Sequence, residues 1–140
     1  MKIKFTVYGN PKGLKRHRDR KFGGKFDPSA GDKADFLAMA MQHKPDKPFP
    51  VDCPISLGVI AYFKRPGKHF YTGKRKDVMR EDAADYYTNT PDGDNVLKFI
   101  GDALEGIFWE NDKSIAHHDI WELYCNDNTP RIEVTIRTLI

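Results

Sequence analysis

The chain has 140 residues, and 39% of them are hydrophobic, which suits a single domain with one core over residues 1–140. Its formal net charge of +3 is modest, so any preference for a polyanion depends on where the basic residues lie. Cys53 and Cys125 lie far apart and outside C-x-x-C spacing, so they indicate neither a disulfide framework nor a zinc site and fit a reducing cytoplasm. The sequence has no stretch typical of a membrane span or a signal peptide.

The first half of the chain contains three predicted elements. Residues 2–8 alternate polar and apolar side chains, which predicts a strand. The apolar spacing over residues 33–42 predicts a helix, and a cluster of prolines ends it. Residues 54–63 predict a second strand, apolar on alternate positions of both faces, so we expect it to be central and buried on both sides.

The second half begins with residues 64–90, which show no periodicity, and a stretch of that kind in a small domain is usually functional or mobile. A helix is predicted from about residue 95 to 107, with Val96, Ile100 and Leu104 on its core-facing stripe. Strands are predicted over 114–125 and 131–138, joined by a turn with the chemistry of a hairpin loop. The expected fold is therefore an α/β (α+β) domain with helices packed on a small mixed sheet.

Basic residues crowd two segments of the chain. A solvated loop is the ordinary explanation for one such run, but two runs beside an acidic motif favour a phosphate-bearing partner. The residues that we expect to contact phosphates are Lys12, Lys15, Arg16, Arg18 and Arg20 in the first segment and Lys74, Arg75 and Lys76 in the second.

The acidic motif lies at the start of the predicted helix, where Asp92 and Asp94 are two residues apart, and Asp112 follows the helix. Neighbouring carboxylates repel each other unless a divalent cation neutralises them, and Mg²⁺ prefers such oxygen ligands. Either aspartate could instead cap the helix, a contact worth about 1 kcal/mol. Lys98 could likewise be only an i, i+4 partner of Asp94.

Histidine and aromatic residues give weaker signals. His117 and His118 are adjacent on a predicted strand and point to opposite faces, so they cannot share one metal ion, and we interpret them as structural or surface residues. Trp109 and Trp121 are expected in the core. The exceptions are the aromatic residues of the second basic segment, which could stack on bases: Phe70, Tyr71, Tyr86 and Tyr87.

The central motifs closely resemble the RusA family of Holliday junction resolvases, common in bacterial prophages. The motifs that carry this resemblance are Pro91-Asp92-x-Asp94-Asn95-x-x-Lys98, Asp102-Ala103-Leu104-x-Gly106 and Trp109-x-x-Asp112-x-x-Ile115. Weaker matches extend it over nearly the whole chain, including Gly9-x-Pro11, Phe63-x-Arg65-Pro66, Thr72-Gly73-Lys74 and Ile132-x-Val134-x-Ile136. The chain departs from the family pattern at Thr90, where a lysine is common, and at Asn111, where an Asp-Asp pair is common.

The resemblance implies that Asp92, Asp94 and Asp112 are metal-binding catalytic carboxylates and that Lys98 acts near the cleaved phosphate. It also implies Mg²⁺ as cofactor, with Mn²⁺ as a substitute, four-way or other branched DNA as substrate, and a homodimer in the cytoplasm of a bacterium or phage-infected cell. A flap nuclease is the alternative enzyme. A junction-binding phage protein with a weakened site is the alternative from another class.

Overall fold

The computed structural model describes residues 1–15, 18–19 and 25–140, with the backbone alone at 18, 19 and 25. Its strands are β1 (Lys2–Tyr8), β2 (Arg18–Asp19), β3 (Lys25–Phe26), β4 (Ile55–Phe63), β5 (Ile115–Tyr124) and β6 (Arg131–Thr138). Its helices are α1 (Ala30–Ala40) and α2 (Gly93–Leu104). No helix in these ranges has the length and apolar content needed to cross a membrane.

A mixed sheet in the order β1, β6, β4, β5 organises the domain, and β2 pairs only with β3. Strand β6 is antiparallel to both β1 and β4, whereas β5 is parallel to β4. At the centre, Val59 lies opposite Val134 on one side and Ile120 on the other. The prediction of an α+β domain with a small mixed sheet is therefore confirmed, and so is the central position of the second predicted strand.

The prediction of a hairpin between the last two strands is wrong, because β4 lies between β5 and β6. The connection instead passes over the end of β4, where the Cys125 amide donates to the Phe63 carbonyl. The Arg65 guanidinium donates to the Asn126 side chain over 2.7 Å and so holds the connection there. Turn chemistry thus indicated a chain reversal correctly, but it did not fix which strands become neighbours.

The core lies on one face of the sheet, against α1 and α2. Alternate β4 residues from Ile55 to Phe63 are buried, and the residues between them are only partly buried. The expected burial of β4 on both faces is therefore wrong, because both helices cover the same face. Phe99 and Ile100 of α2 are almost completely buried, and Phe99 packs edge-on against Phe36 of α1.

Helix α2 begins two residues earlier than predicted because Asp92 caps it. The Asp92 carboxylate accepts a hydrogen bond from the Asn95 amide over 2.9 Å, and its carbonyl accepts from Val96. The helix ends at Leu104, and Gly106, with a φ of +85°, turns the chain away. The start of α2 is therefore fixed by the residue that is also predicted to bind metal.

A buried arginine orders the segment of residues 64–90. The Arg65 side chain is only 4% exposed and donates hydrogen bonds to the carbonyls of Ala84 and Cys125 as well as to Asn126. One guanidinium nitrogen also lies 3.0 Å from His69 Nδ1. The segment contains short 3₁₀ turns, at Gly67–His69 and Gly73–Arg75. Its sequence shows no helix or strand periodicity because hydrogen bonds to Arg65, and not regular elements, hold it in place.

Candidate functional site

Asp94 and Lys98 lie one turn apart on the exposed side of α2. The Lys98 ammonium is 3.1 Å from the Asp94 carboxylate, and the two side chains are 63% and 76% exposed. An ion pair in water of this kind contributes little to stability. The structural alternatives considered for Asp92 and Lys98, a cap and an i, i+4 pair, are both observed. The Asp92 and Lys98 side chains both remain exposed to solvent, so these contacts leave them able to bind other groups.

Asp112 is held more firmly. Its carboxylate accepts a hydrogen bond from the Trp109 indole over 2.7 Å, and its amide donates to the Glu105 carboxylate over 2.8 Å. Burial raises the pKa of Asp112, an effect that the Trp109 hydrogen bond partly offsets. A Cβ atom at Gly101 would be 3.4 Å from an Asp112 oxygen, so the absence of a side chain there lets the carboxylate lie against α2.

One cleft brings together several of the predicted site residues. It has a volume of about 390 Å³, and its polar lining is formed by Asp94, Lys98, Asp102, Asp112 and His118. Its apolar lining includes Leu57 of β4, Leu97 of α2 and Ile115 of β5. Asp92 is absent from this lining. The cleft therefore combines two of the three predicted metal ligands with the predicted catalytic lysine.

The two histidines separate as expected. His117 lies on the face of the sheet away from α2, where its Nδ1 atom is 2.9 Å from the Ser56 hydroxyl. His118 points the other way, into the cleft. Both histidines are exposed, as expected of surface residues, and His118 shares a cavity with Asp94 and Asp112.

Across residues 1–15, 18–19 and 25–140, no three His, Cys, Asp or Glu side chains are arranged to hold one metal ion. Asp92 caps α2, whereas Asp112 lies beside Gly101, nine residues or roughly 13 Å further along the axis. The donors present still suit Mg²⁺, which usually takes one or two protein carboxylates and keeps several waters. The assignment of Asp92, Asp94 and Asp112 as ligands stays a prediction.

The sequence analysis did not identify Glu122, which lies on β5 beside the start of α2. Burial and the charge of Asp92 raise the pKa of Glu122 to about 7. Its Oε2 atom is buried and has no hydrogen-bond partner among the described residues. The signal was present in the sequence: His118, Ile120, Glu122 and Tyr124 alternate on the strand face that contacts α2. Without the sheet order, that face could not be assigned to the site.

The first basic segment contacts the start of α2. The Asn95 side chain donates to the Leu14 carbonyl over 2.8 Å, and a Cβ atom at Gly13 would overlap Pro91. Lys12 is exposed, and the Lys15 ammonium is 3.6 Å from Asp32. Arg16 and Arg20 lie outside the described residues, as does the side chain of Arg18.

The second basic segment presents Lys74, Arg75 and Lys76 at an exposed 3₁₀ turn. The Arg75 guanidinium stacks 4.1 Å from the centre of the Tyr71 ring, which holds it in place. Lys76 lines a groove of about 410 Å³ together with Asn126 at the end of β5.

The aromatic expectations are partly met. Trp109 is fully buried, as predicted, but Trp121 is 54% exposed because its position on β5 faces away from the helices. Among the candidate stacking residues, Tyr86 is 60% exposed and lies near Trp121, whereas Tyr87 stacks on Phe63 with ring centres 3.5 Å apart. Tyr87 is therefore part of the domain's packing.

A sequence model described as endodeoxyribonuclease RusA matches residues 9–137. The chain belongs to the RusA endodeoxyribonuclease family, which confirms the resemblance drawn from the central motifs. It is also similar to the uncharacterized protein YqaN of Bacillus subtilis strain 168, with 32% identity over 140 residues, covering 96% of this chain and 95% of that protein.

Proposed function

We propose that this protein is a Mg²⁺-dependent, structure-selective endonuclease that resolves four-way DNA junctions by paired phosphodiester hydrolysis, in recombination and repair. The observation that carries the proposal is the cleft in which Asp94, Lys98 and Asp112 meet, in a chain that belongs to a family of endodeoxyribonucleases. An acidic cleft in a chain with exposed basic segments suits a phosphate substrate that arrives together with a divalent cation.

The carboxylates have the role of holding the cation. Asp94 and Asp112 would bind a cation in the cleft, and Asp92 would bind one at the helix cap. When bound, Mg²⁺ supplies charge neutralisation at the scissile phosphate and lowers the pKa of the attacking water. Because Trp109 and Glu105 fix Asp112, that part of the site is ordered before substrate arrives.

Lys98 has the role of stabilising charge on the phosphoryl oxygens. Its ammonium now pairs with Asp94 in an exposed contact, which costs little to exchange for a phosphate oxygen. Negative charge builds on the phosphoryl oxygens as the attacking water oxygen adds to phosphorus, so a cation beside them lowers the barrier.

The basic segments have the role of holding the DNA backbones. Phosphate contacts carry little sequence information, so Lys12, Lys15 and the turn at Lys74, Arg75 and Lys76 would recognise the branched shape first. Any sequence preference would then appear at the cleavage step.

A homodimer is part of the proposal, because two opposed strands must be cut and each chain has one such cleft. A C2 dimer supplies two sites and joins the basic segments into one face. The free edge of the first or last strand would suit its interface, but β6 pairs on both sides. Strand β1 remains available as an edge. Light scattering at micromolar concentration, with and without junction DNA, tests the dimer, and a strict monomer would contradict paired incision.

A protein that binds junctions without cutting them is the second candidate. It is favoured by the spacing of the carboxylates along α2 and by Asn111, which caps the following turn through the Lys113 amide where the family commonly has an acid. A flap nuclease is the alternative enzyme.

Incubation with synthetic four-way junction, flap and linear duplex DNA, each with Mg²⁺ or with EDTA, separates the three. We expect symmetric nicks in the junction that require Mg²⁺. Preferential flap cleavage supports the alternative enzyme, and a shifted but uncut junction supports the binding protein.

A further inference from the structure

The Glu122 side chain lacks a positive partner among the described residues. Its Oε2 atom is buried and accepts no hydrogen bond from them. The charge that acts on it is also negative, that of Asp92, whose neighbour Gly93 lies against the Glu122 carboxylate. A buried carboxylate oxygen with neither a donor nor a cation is costly, so such a group calls for a ligand.

The neighbours of Glu122 explain why it stays unpaired. The Tyr87 hydroxyl, which also interacts electrostatically with Glu122, donates its hydrogen to the Thr90 carbonyl instead. On the other side lies the start of α2, where a Cβ atom at Gly93 would be 3.6 Å from the second carboxylate oxygen, Oε1. Glycine at this position lets the beginning of the helix approach the strand, and it leaves Glu122 facing the residue that caps the helix.

We propose that Glu122 is a further metal ligand of the nuclease site, binding the same divalent cation as Asp92 at the start of α2. The inference rests on the proposed function, since it takes the cation to be the one used in DNA cleavage. A cation at this position satisfies the unpaired Oε2 atom and relieves the repulsion between the two carboxylates. It also gives Asp92, which does not line the main cleft, a role as a ligand at the start of α2.

Glu122 differs from the three aspartates in the element that carries it. Asp92 and Asp94 lie on α2, and Asp112 follows the helix, whereas Glu122 belongs to a strand of the sheet. A cation shared by Asp92 and Glu122 therefore joins the helix to the sheet. Binding it should resist separation of α2 from β5, which gives the proposal a readout independent of cleavage.

The test compares Glu122→Gln with Asp119→Asn on the full-length protein. Asp119 is on the same strand, is exposed, and lines a cavity on the opposite face, so its variant controls for loss of a negative charge on β5. Mn²⁺ binding is measured by calorimetry or electron paramagnetic resonance, and thermal unfolding is followed with Mg²⁺ and with EDTA. Junction binding in EDTA reports whether the DNA surface is intact.

We expect Glu122→Gln to weaken Mn²⁺ binding by at least about tenfold and to lose most of the Mg²⁺-induced rise in Tm. Its Tm in EDTA should be no lower than that of the wild type, because the change removes an unpaired buried charge. Asp119→Asn should match the wild type in both measurements. A purely structural Glu122 would alter the Tm in EDTA but leave Mn²⁺ affinity unchanged, and that result overturns the inference.

The outcomes separate the inference from the proposed function. Mn²⁺ binding that depends on Glu122, in a wild-type protein that does not cut junctions, supports the metal site and contradicts the nuclease. Junction cleavage that depends on Mg²⁺, with unchanged Mn²⁺ affinity in Glu122→Gln, supports the nuclease and contradicts the metal-ligand role of Glu122. If Glu122→Gln fails to fold, Glu122→Asp takes its place: it keeps the negative charge but shortens the reach, and wild-type Mn²⁺ affinity in that variant counts against direct ligation.

Discussion

The acidic site and the second basic segment are built in opposite ways. Asp92 caps α2 and Asp94 lies in its first turn, so the position of each is set by a regular helix. Residues 64–90 have only short turns, and their course depends on one buried side chain, that of Arg65. The positions of acidic side chains on a helix are thus insensitive to distant changes, whereas the position of the basic turn at Gly73–Arg75 depends on its anchor.

The largest effect is expected from Asp94→Asn, which tests the acidic side of this comparison. The change removes one charge without touching the helix cap, which is Asp92. We expect junction cleavage to fall roughly a hundredfold to a thousandfold, because the proposed site would lose a charged metal ligand. Junction binding should be retained or strengthened, since one negative charge near the phosphates disappears.

Gel-shift and cleavage assays on the same preparation of Asp94→Asn measure its junction binding and its cleavage rate together. Asp35→Asn on α1 is the control for removing an exposed carboxylate from a helix, and it should cut at the wild-type rate. Near-normal cleavage by Asp94→Asn would reduce Asp94 to a partner of Lys98.

Arg65→Ala tests whether the second basic segment depends on its buried anchor. The substitution leaves the Ala84 and Cys125 carbonyls and the Asn126 side chain without their donor. We expect a loss of about 3 kcal/mol in the free energy of unfolding, measured by urea titration. Lys68→Ala, an exposed neighbour, should change it by less than about 0.5 kcal/mol. Equal effects of the two substitutions would show that Arg65 does not anchor the segment.

The first basic segment gives a smaller and more specific effect. Replacing Lys12 and Lys15 by Ala should weaken junction binding and reduce the slope of log K against log salt by about one unit for each phosphate that the variant no longer neutralises. The same expectation applies to Arg16 and Arg18. Lys4→Ala is the control, because Lys4 lies on the sheet face away from the helices. An unchanged slope would return the segment to an ordinary solvated loop.

The smallest effect concerns pH and sharpens the role of the Arg65 anchor. Burial, followed by the charge of Arg65, lowers the pKa of His69 below 6.5 in the folded state. The unfolded chain therefore binds a proton more readily, and the contribution of His69 to stability is full above pH 6.5 and declines as pH falls below it. Urea titrations of wild type and His69→Gln across pH 5–7.5 should show a smaller acid-side loss in the variant. Parallel curves would mean that His69 is not the group responsible.

The sequence predicted those features that depend on local pattern. The first strand, the central strand and α2 follow from periodicity, and the Asp92 cap follows from side-chain chemistry. The strands that pair with β5 and β6 could not be predicted from sequence patterns, because strand order depends on distant contacts such as that between Arg65 and Asn126. Trp121 and Glu122 were misjudged or missed for the same reason: which face of β5 is covered is known only once the sheet is assembled.

The order in which the sheet assembles has a consequence for folding. Helix α2 is the crossover between the parallel strands β4 and β5, so Asp92 and Glu122 are brought together only after β5 has paired with β4. Parallel pairing closes a long loop and is slow to form. Without that pairing, α2 carries Asp92 and Asp94 but lacks the strand that completes their surroundings. The full surroundings of Asp92 therefore exist only in a chain whose sheet has assembled.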